Sequence, residues 1–192
     1  MRNKVLFVVA TPMQIISAIN ILISYKLNAD VICLSDHLVD VNTYVKILKR
    51  SSYFESIKTQ KANIKEKIDF SDYDEIFVTN GIFLITYKRE ILSSKTKVSI
   101  FDEGTMTYLT SFIESCNECC GCRTVYLYEP TLANFYADKK FIIKTIPKIK
   151  SDNYMLLKYL NEVFEVETND YVALSLESLH VFFPNRSNIN YP

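Results

Sequence analysis

One stretch decides how this chain folds: Lys4-Val-Leu-Phe-Val-Val-Ala-Thr-Pro-Met-Gln-Ile-Ile-Ser-Ala-Ile-Asn20. Residues 4–10 form a continuous apolar run, which is typical of a strand buried on both faces. Thr11 then predicts a helix N-cap and Pro12 the first helical position, where the missing N–H of proline costs nothing. The predicted helix runs to about Lys26 and sets its isoleucines against the sheet. Its polar residues recur at a spacing of three to four: Gln14, Ser17, Asn20 and Ser24.

The same alternation of strand and helix continues along the chain. Further strands are predicted over Asp30–Leu34, Phe54–Lys58, Glu75–Thr79, Lys97–Phe101 and Val125–Tyr128. The helical segments between them are Val39–Ser51, a polar piece ending at Ile68, Gly81–Ser93 and Thr105–Cys116. Strands separated by helices indicate βαβ units and a parallel sheet. The predicted fold class is therefore α/β, a Rossmann-like parallel sheet with flanking helices, over residues 1–150.

The last part of the chain is less regular. Phe141–Ile146 is consistent with a strand, and Asn153–Phe164 predicts an amphipathic helix followed by short apolar runs up to residue 183. Lysines alternate with apolar residues between Lys139 and Lys150. This alternation favours a strand with a solvated lysine face, and it leaves open a peripheral contact with a membrane surface.

The composition excludes several classes of function. The chain of 192 residues has three glycines, and the absence of a glycine cluster excludes a P-loop and a dinucleotide-binding turn. Its two histidines exclude a His-Glu-x-x-His zinc site. Lys+Arg and Asp+Glu number 22 each, so no broad positive field would attract nucleic acid, and we expect no nucleic-acid partner.

The N-terminal apolar run and the cysteines bear on the compartment. Polar residues interrupt the run after Pro12, which favours a buried strand and helix over a signal peptide, so we expect a cytoplasmic protein. Four of the five cysteines lie in Cys116-x2-Cys119-Cys120-x-Cys122. A zinc site would need a second ligand pair from another segment, so we expect no metal there and a reduced loop of free thiols, with zinc or a disulfide as alternatives.

Polar side chains follow most of the predicted strands, at the edge where ligands bind in parallel sheets. They are Thr11 with Gln14, then Ser35-Asp36-His37, Thr79-Asn80-Gly81, Asp102-Glu103-Gly104 and Glu129-Pro130. Asp102 shares a strand face with Val98 and Ile100, so it leaves apolar surroundings at the edge of the sheet. Partial desolvation would raise its pKa and make it a usable general base. The alternative is that Asp102 begins a turn or caps the next helix.

Three segments resemble bacterial sialyltransferases of glycosyltransferase family 52 and the related polysialyltransferases. The opening Val5–Asn20 resembles their first strand leading into Thr-Pro-x-Gln. Ser99-Ile-Phe-Asp-Glu-Gly-Thr-Met-Thr-Tyr108 resembles their acidic motif, in which the first acidic residue is the general base. Val125-Tyr-Leu-Tyr-Glu-Pro130 is similar to a later strand and turn.

The resemblance implies the N-terminal, acceptor-binding half of a GT-B glycosyltransferase in surface-glycan or capsule synthesis. Asp102 would deprotonate an acceptor hydroxyl that attacks the anomeric carbon of CMP-sialic acid. The implied partners are a glycan acceptor and this nucleotide-sugar donor, without a metal or another cofactor. The residues implied on the acceptor side are Thr11, Gln14, Asn80, Glu103 and Gly104.

The chain also departs from this family pattern. The donor half of these enzymes has a His-Pro motif, whereas Leu38 follows His37 and Val181 follows His180. We therefore expect the chain to be incomplete as an enzyme, with residues 151–192 as the start of a donor half. The alternatives are a non-catalytic glycan- or protein-binding domain and an enzyme using another nucleotide sugar. The sequence leaves a homo-oligomer and a position at the inner face of the membrane open.

Overall fold

A computed structural model describes residues 4–38 and 40–148, and its centre is a single parallel sheet. The strands are β1 Lys4–Val9, β2 Asn28–Leu34, β3 Ser56–Gln60, β4 Glu75–Val78, β5 Lys97–Phe101, β6 Thr124–Leu127 and β7 Ile142–Thr145. Their order is β3-β2-β1-β4-β5-β6-β7, and all neighbouring pairs are parallel. The predicted α/β class with a parallel, Rossmann-like sheet is confirmed. The predicted helix Asn153–Phe164 and the short runs after it lie outside the described residues.

Helices cover both faces of the sheet. They are α1 Pro12–Tyr25, α2 Val41–Ser51, α3 Gly81–Ser94 and α4 Thr110–Cys120, with short 3-10 turns at Phe70–Asp72, Thr105–Tyr108 and Pro130–Leu132. Leu6 and Val8 of β1 face one core, which α3 and α4 complete. Val5, Phe7 and Val9 face the other core, which α1 and α2 complete. The predicted burial of the first strand on both faces is therefore confirmed.

Three of the four polar residues in the α1 stripe are buried, and the fourth, Ser24, is exposed. Gln14 and Ser17 are 0% exposed and Asn20 is 4% exposed. The end of β7 and the residues after it pack on the last turns of α1, because Asn20 Nδ2 donates to the Pro147 carbonyl at 2.7 Å and Tyr25 OH donates to the Thr145 carbonyl at 3.0 Å. The sequence pattern separates polar from apolar residues, but it does not show that Gln14, Ser17 and Asn20 are internal.

The predicted polar helical piece ending at Ile68 is wrong, since residues 61–69 form turns and coil. Side chains bond to this backbone in place of a helix. The Asp36 carboxylate accepts from Ala62 N at 3.0 Å, and Tyr87 OH accepts from Glu66 N at 2.7 Å. The strand before it, β3, begins two residues later than predicted, at Ser56.

The predicted helix Thr105–Cys116 is also wrong in its bounds. A 3-10 turn occupies Thr105–Tyr108, and α4 then runs from Thr110 to Cys120. The helix starts late because Asn134 Oδ1 accepts from Thr110 N at 2.8 Å, outside the helix. Most of the cysteine cluster therefore lies on the last turns of α4 and not in a loop. Three of these thiols are buried in the core: Cys116, Cys120 and Cys122.

The predicted lysine face of the seventh strand is only partly solvated. Lys144 Nζ donates to Tyr126 OH at 2.9 Å and lies over the rings of Tyr25 and Tyr126. A cation held between aromatic rings stabilises the attachment of β7 to α1 and β6. No helix within residues 4–38 and 40–148 is both long enough and apolar enough to cross a membrane.

Candidate functional site

The candidate site lies at the edge of the sheet where the strands end. Because the sheet is parallel, the residues that follow neighbouring strands emerge at the same edge. Thr11 follows β1, Asn80 follows β4, Asp102 follows β5 and Glu129 follows β6, and these four strands are consecutive in the sheet. The prediction that these residues share one edge is confirmed.

Thr11 and Asn80 begin the helices on either side of the topological switch point. The chain leaves β1 toward β2, whereas β4 lies on the other side of β1, so a crevice forms between β1 and β4. Thr11 Oγ1 accepts from Gln14 N at 3.2 Å, and Asn80 Oδ1 accepts from Phe83 N at 2.9 Å. Both side-chain oxygens are therefore helix caps, which limits what they can offer to a ligand.

Asp102 is 5% exposed and is bound by donors from two loops. Its Oδ1 accepts from Gly104 N at 2.9 Å, and its Oδ2 accepts from Tyr128 N at 3.1 Å and from Tyr108 OH. Thr107 Oγ1 lies 3.3 Å from Oδ1 but only 2.6 Å from the Gly104 carbonyl, to which it donates its one proton. The carboxylate thereby ties the loop after β5 to the loop after β6.

Gly104 allows this arrangement because its φ is +123°, a conformation that side chains disfavour. Tyr108 completes it from the following 3-10 turn, and its hydroxyl also accepts from Glu129 N at 3.3 Å. Burial and the hydrogen bond to Asp102 raise the pKa of Tyr108 well above its ordinary value, so its hydroxyl is a donor at neutral pH. No pattern in the sequence singles out Tyr108 or Tyr128 as site residues, although both occur in the segments that carry the family resemblance.

Glu103 points away from Asp102 and meets α1. Gln14 Nε2 donates to Glu103 Oε2, and Gln14 Oε1 accepts from Ala10 N. Burial, with a smaller contribution from the charge of Asp102, raises the pKa of Glu103 above its ordinary value, while the hydrogen bond from Gln14 opposes this shift. The sequence pattern predicts a raised pKa for Asp102 and makes no such prediction for Glu103, which it missed in this respect.

A cleft of about 360 Å³ adjoins these loops at the ends of β6 and β7. Tyr128, Tyr136, Glu129, Thr145 and Lys148 contribute to its lining. Lys148 Nζ is 3.9 Å from Glu129 Oε1, and both side chains are exposed, so this ion pair contributes little to stability. Aromatic rings beside charged and hydroxyl groups are suited to a polar ligand, and the sequence pattern did not indicate this cleft.

The remaining polar strand ends and the cysteines do not extend the site. The Asp36 carboxylate, after β2, accepts a hydrogen bond from the backbone N–H of Ala62. Burial raises the pKa of the Cys116 thiol to about 12, so this thiol is protonated and unreactive at neutral pH. Within the described ranges, no group of three or more His, Cys, Asp or Glu side chains could hold a metal ion.

Comparison with known proteins adds no relative. No protein-family model matches the chain, and no curated protein and no solved structure is significantly similar to it.

Proposed function

We propose that this chain is the acceptor-side half of a sialyltransferase-like glycosyltransferase of GT-B architecture. One observation carries the proposal: the three segments that resemble these enzymes meet at one cluster of hydrogen bonds. Gln14 of the first segment bonds to Glu103 of the second, 89 residues further along. Tyr128 of the third segment bonds to Asp102 of the second, through its backbone N–H. The parallel sheet brings the three segments to one edge, and these hydrogen bonds join them there into a single site.

The proposed reaction is the attack of an acceptor hydroxyl on the anomeric carbon of CMP-sialic acid. It needs a base near the attacking oxygen, and the pair Asp102 and Glu103 offers carboxylates at the sheet edge. The family resemblance selects Asp102 for this role. Thr11, Asn80 and Gly104 line the same edge, where they would contact the acceptor.

The start of α1 supports an acceptor more than a nucleotide. Phosphate sites at the first βα turn use free backbone N–H groups and glycines. Here Pro12 has no N–H, and Thr11 Oγ1 already binds the N–H of Gln14. We therefore assign the acceptor to this edge. We propose that the protein works in the cytoplasm, on surface or capsular glycans, where the substrates could bring it to the inner face of the membrane.

The test is binding and transfer with defined sugars. Oligosaccharides with terminal galactose or sialic acid are added, with and without CMP-sialic acid, to the 192-residue chain and to any longer polypeptide that contains it. Saturation-transfer NMR should detect acceptor binding to the chain, and transfer should require donor-binding residues. Failure of every oligosaccharide to bind, together with no transfer by the longer polypeptide, would contradict the proposal.

A second candidate is a non-catalytic domain that binds a glycan or a protein. The hydrogen bonds that occupy Asp102 favour it, since they are what a purely structural carboxylate would show. In that case an oligosaccharide would bind, no polypeptide containing the chain would transfer sugar, and substitutions at Glu103 would change only affinity.

A further inference from the structure

We propose that Glu103, rather than Asp102, receives the proton of the acceptor hydroxyl, and that Gln14 is the residue that positions it. Asp102 is then a structural residue that joins two loops. This assignment deepens the proposed function and rests on it. It reverses the roles that the acidic motif suggests, and it follows from which carboxylate oxygens remain available.

Asp102 has little capacity left for a substrate. A carboxylate offers about four acceptor positions. Gly104 N, Tyr128 N and Tyr108 OH take three of them. The remaining position belongs to a residue that is only 5% exposed, and Thr107 Oγ1 lies 3.3 Å from Oδ1. A hydroxyl group at any of the other three positions would displace a donor, and a buried backbone N–H left without a partner destabilises the fold.

Glu103 has an open oxygen. It is half-buried, and among the described residues only Gln14 donates a hydrogen bond to it, through Oε2. Oε1 therefore remains for a ligand. Glu103 is the second residue after β5, so it lies at the edge of the sheet where an acceptor would bind.

Gln14 fixes the direction of Glu103. Its side chain is 0% exposed, and Ala10 N donates to Oε1, so the amide nitrogen must face Glu103. A backbone donor thus settles an orientation that is otherwise ambiguous for a glutamine. The amide neutralises no charge, so it orients the carboxylate without forming an ion pair that would weaken it as a base.

The electrostatic surroundings agree with a base. The titratable groups close enough to interact with Glu103 are Asp102, on the same turn, and Cys116, on α4. No lysine or arginine of the described residues forms an ion pair with it. Burial and Asp102 therefore raise the pKa of Glu103, which brings it closer to neutral pH and makes proton transfer more favourable.

The proposed step balances as follows. The acceptor hydroxyl oxygen forms a bond to the anomeric carbon of a nucleotide-activated sugar. The bond from that carbon to the phosphate oxygen breaks, and the nucleotide phosphate leaves with the electron pair. The hydroxyl proton moves to Glu103 Oε1, from which it later passes to water.

The first experiment measures transfer by four variants of a polypeptide that contains this chain and transfers sugar: Glu103→Gln, Gln14→Met, Asp102→Asn and the control Glu114→Gln. Glu114 is an exposed carboxylate on α4, so its loss should leave the rate unchanged. Glu103→Gln should lower kcat about 10²–10⁴-fold, the usual contribution of a positioned base, with KM changed far less. Full transfer by Glu103→Gln, with loss of transfer in a folded Asp102→Asn, would overturn the assignment.

Gln14→Met separates positioning from mere packing. It removes the hydrogen bond that favours the charged carboxylate, so the pKa of Glu103 should rise and the acidic limb of the kcat profile should move to higher pH. Asp102→Asn removes a nearby negative charge, so the same limb should move to lower pH. Carbon-13 NMR of the side-chain carboxyls in the 192-residue chain should show the same opposite shifts of the Glu103 titration.

Stability gives a readout that does not need turnover. The pKa of Glu103 in the folded chain lies above its value of 4.5 in an exposed peptide. Ionised Glu103 therefore lowers the free energy of unfolding at neutral pH. Glu103→Gln should therefore stabilise the 192-residue chain against urea at pH 7, and this gain should vanish below pH 4.5. If the wild-type polypeptide transfers no sugar, that result contradicts the proposed function but not the properties assigned to Glu103. An unshifted Glu103 titration with no such gain would then overturn the assignment of Glu103 as well.

Discussion

Two tyrosine hydroxyls near Asp102 differ in their surroundings. Tyr108 OH donates to Asp102 Oδ2 and accepts from Glu129 N. Tyr128 OH is buried, and although Ser17 and Asn20 lie close to it, neither makes a hydrogen bond to it. Burial raises the pKa of Tyr128, so it keeps its proton inside the fold. Replacing tyrosine by phenylalanine therefore removes a hydrogen bond at position 108 but none at position 128.

Tyr108→Phe should lower the free energy of unfolding by about 1.5–3 kcal/mol, because it removes a hydrogen bond to a charged group. Tyr128→Phe should leave stability unchanged or raise it slightly, since it removes a buried hydroxyl that has no partner among the described residues. Urea denaturation at pH 7 measures both variants. Equal losses in the two variants would mean that Asp102 is not held as described.

The sequence predicted the residues of the site better than their contacts. Alternation along β5 predicts that Asp102 leaves the strand on the face of Val98 and Ile100, and the sequence also predicts Thr11 as a helix cap. The bond between Gln14 and Glu103 could not be predicted, because nothing local relates positions that are 89 residues apart. One of the hydrogen bonds that Asp102 accepts comes from Tyr128 N, and no pattern of side chains in the sequence reveals a bond to a backbone group.

At the scale of elements, α4 shows how tertiary contacts override a local pattern. The segment from Thr105 is predicted as a helix, yet α4 begins only at Thr110, whose N–H donates to the Asn134 side chain from outside the helix. The predicted helical piece ending at Ile68 is wrong for a similar reason. Asp36 and Tyr87, which lie far away in the sequence, accept hydrogen bonds from two backbone N–H groups of residues 61–69. Side-chain bonds to a backbone compete with helix formation, and they come from residues far along the chain.

The cysteines of α4 and its end provide a test of this element. Cys119 is half-buried, whereas Cys33, Cys116, Cys120 and Cys122 are buried. Burial raises the pKa of each of these four thiols to about 12. A thiol reagent at pH 8 should therefore modify Cys119 first in the folded chain, and all five cysteines only in urea.

Mass spectrometry of the labelled peptides measures the order of modification. The Cys119→Ser variant, which should react slowly and unfold at the same urea concentration as wild type, is the control. Elemental analysis of the same sample tests the prediction that the cluster holds no metal, and about one zinc per chain would contradict it. Rapid labelling of Cys122 in the folded chain would show that α4 is not packed as described.

At the scale of the whole molecule, the parallel sheet and its covering helices were predictable from alternation alone. The strand order β3-β2-β1-β4-β5-β6-β7 puts the most apolar strand in the interior, where two layers of helices bury it. The attachment of β7 was less predictable, because it depends on the Lys144 contacts with Tyr25 and Tyr126 and on the bond from Asn20 to Pro147. These contacts join the two ends of the described chain.

The position of β1 has a consequence for biosynthesis. Its neighbour β2 follows within residues 28–34, but the strand on its other side, β4, begins only at Glu75. Until a ribosome has made β4, the apolar strand Lys4–Val9 has an open edge of unbonded N–H and C=O groups, which can pair with another chain. A truncated product of residues 1–72 should therefore sediment as aggregates, while residues 1–148 stay in solution. A monomeric, dispersed 1–72 product would contradict this. If the 1–72 product aggregates as expected, nascent chains of this protein depend on chaperones that bind unfolded chains, from the synthesis of β1 until that of β4.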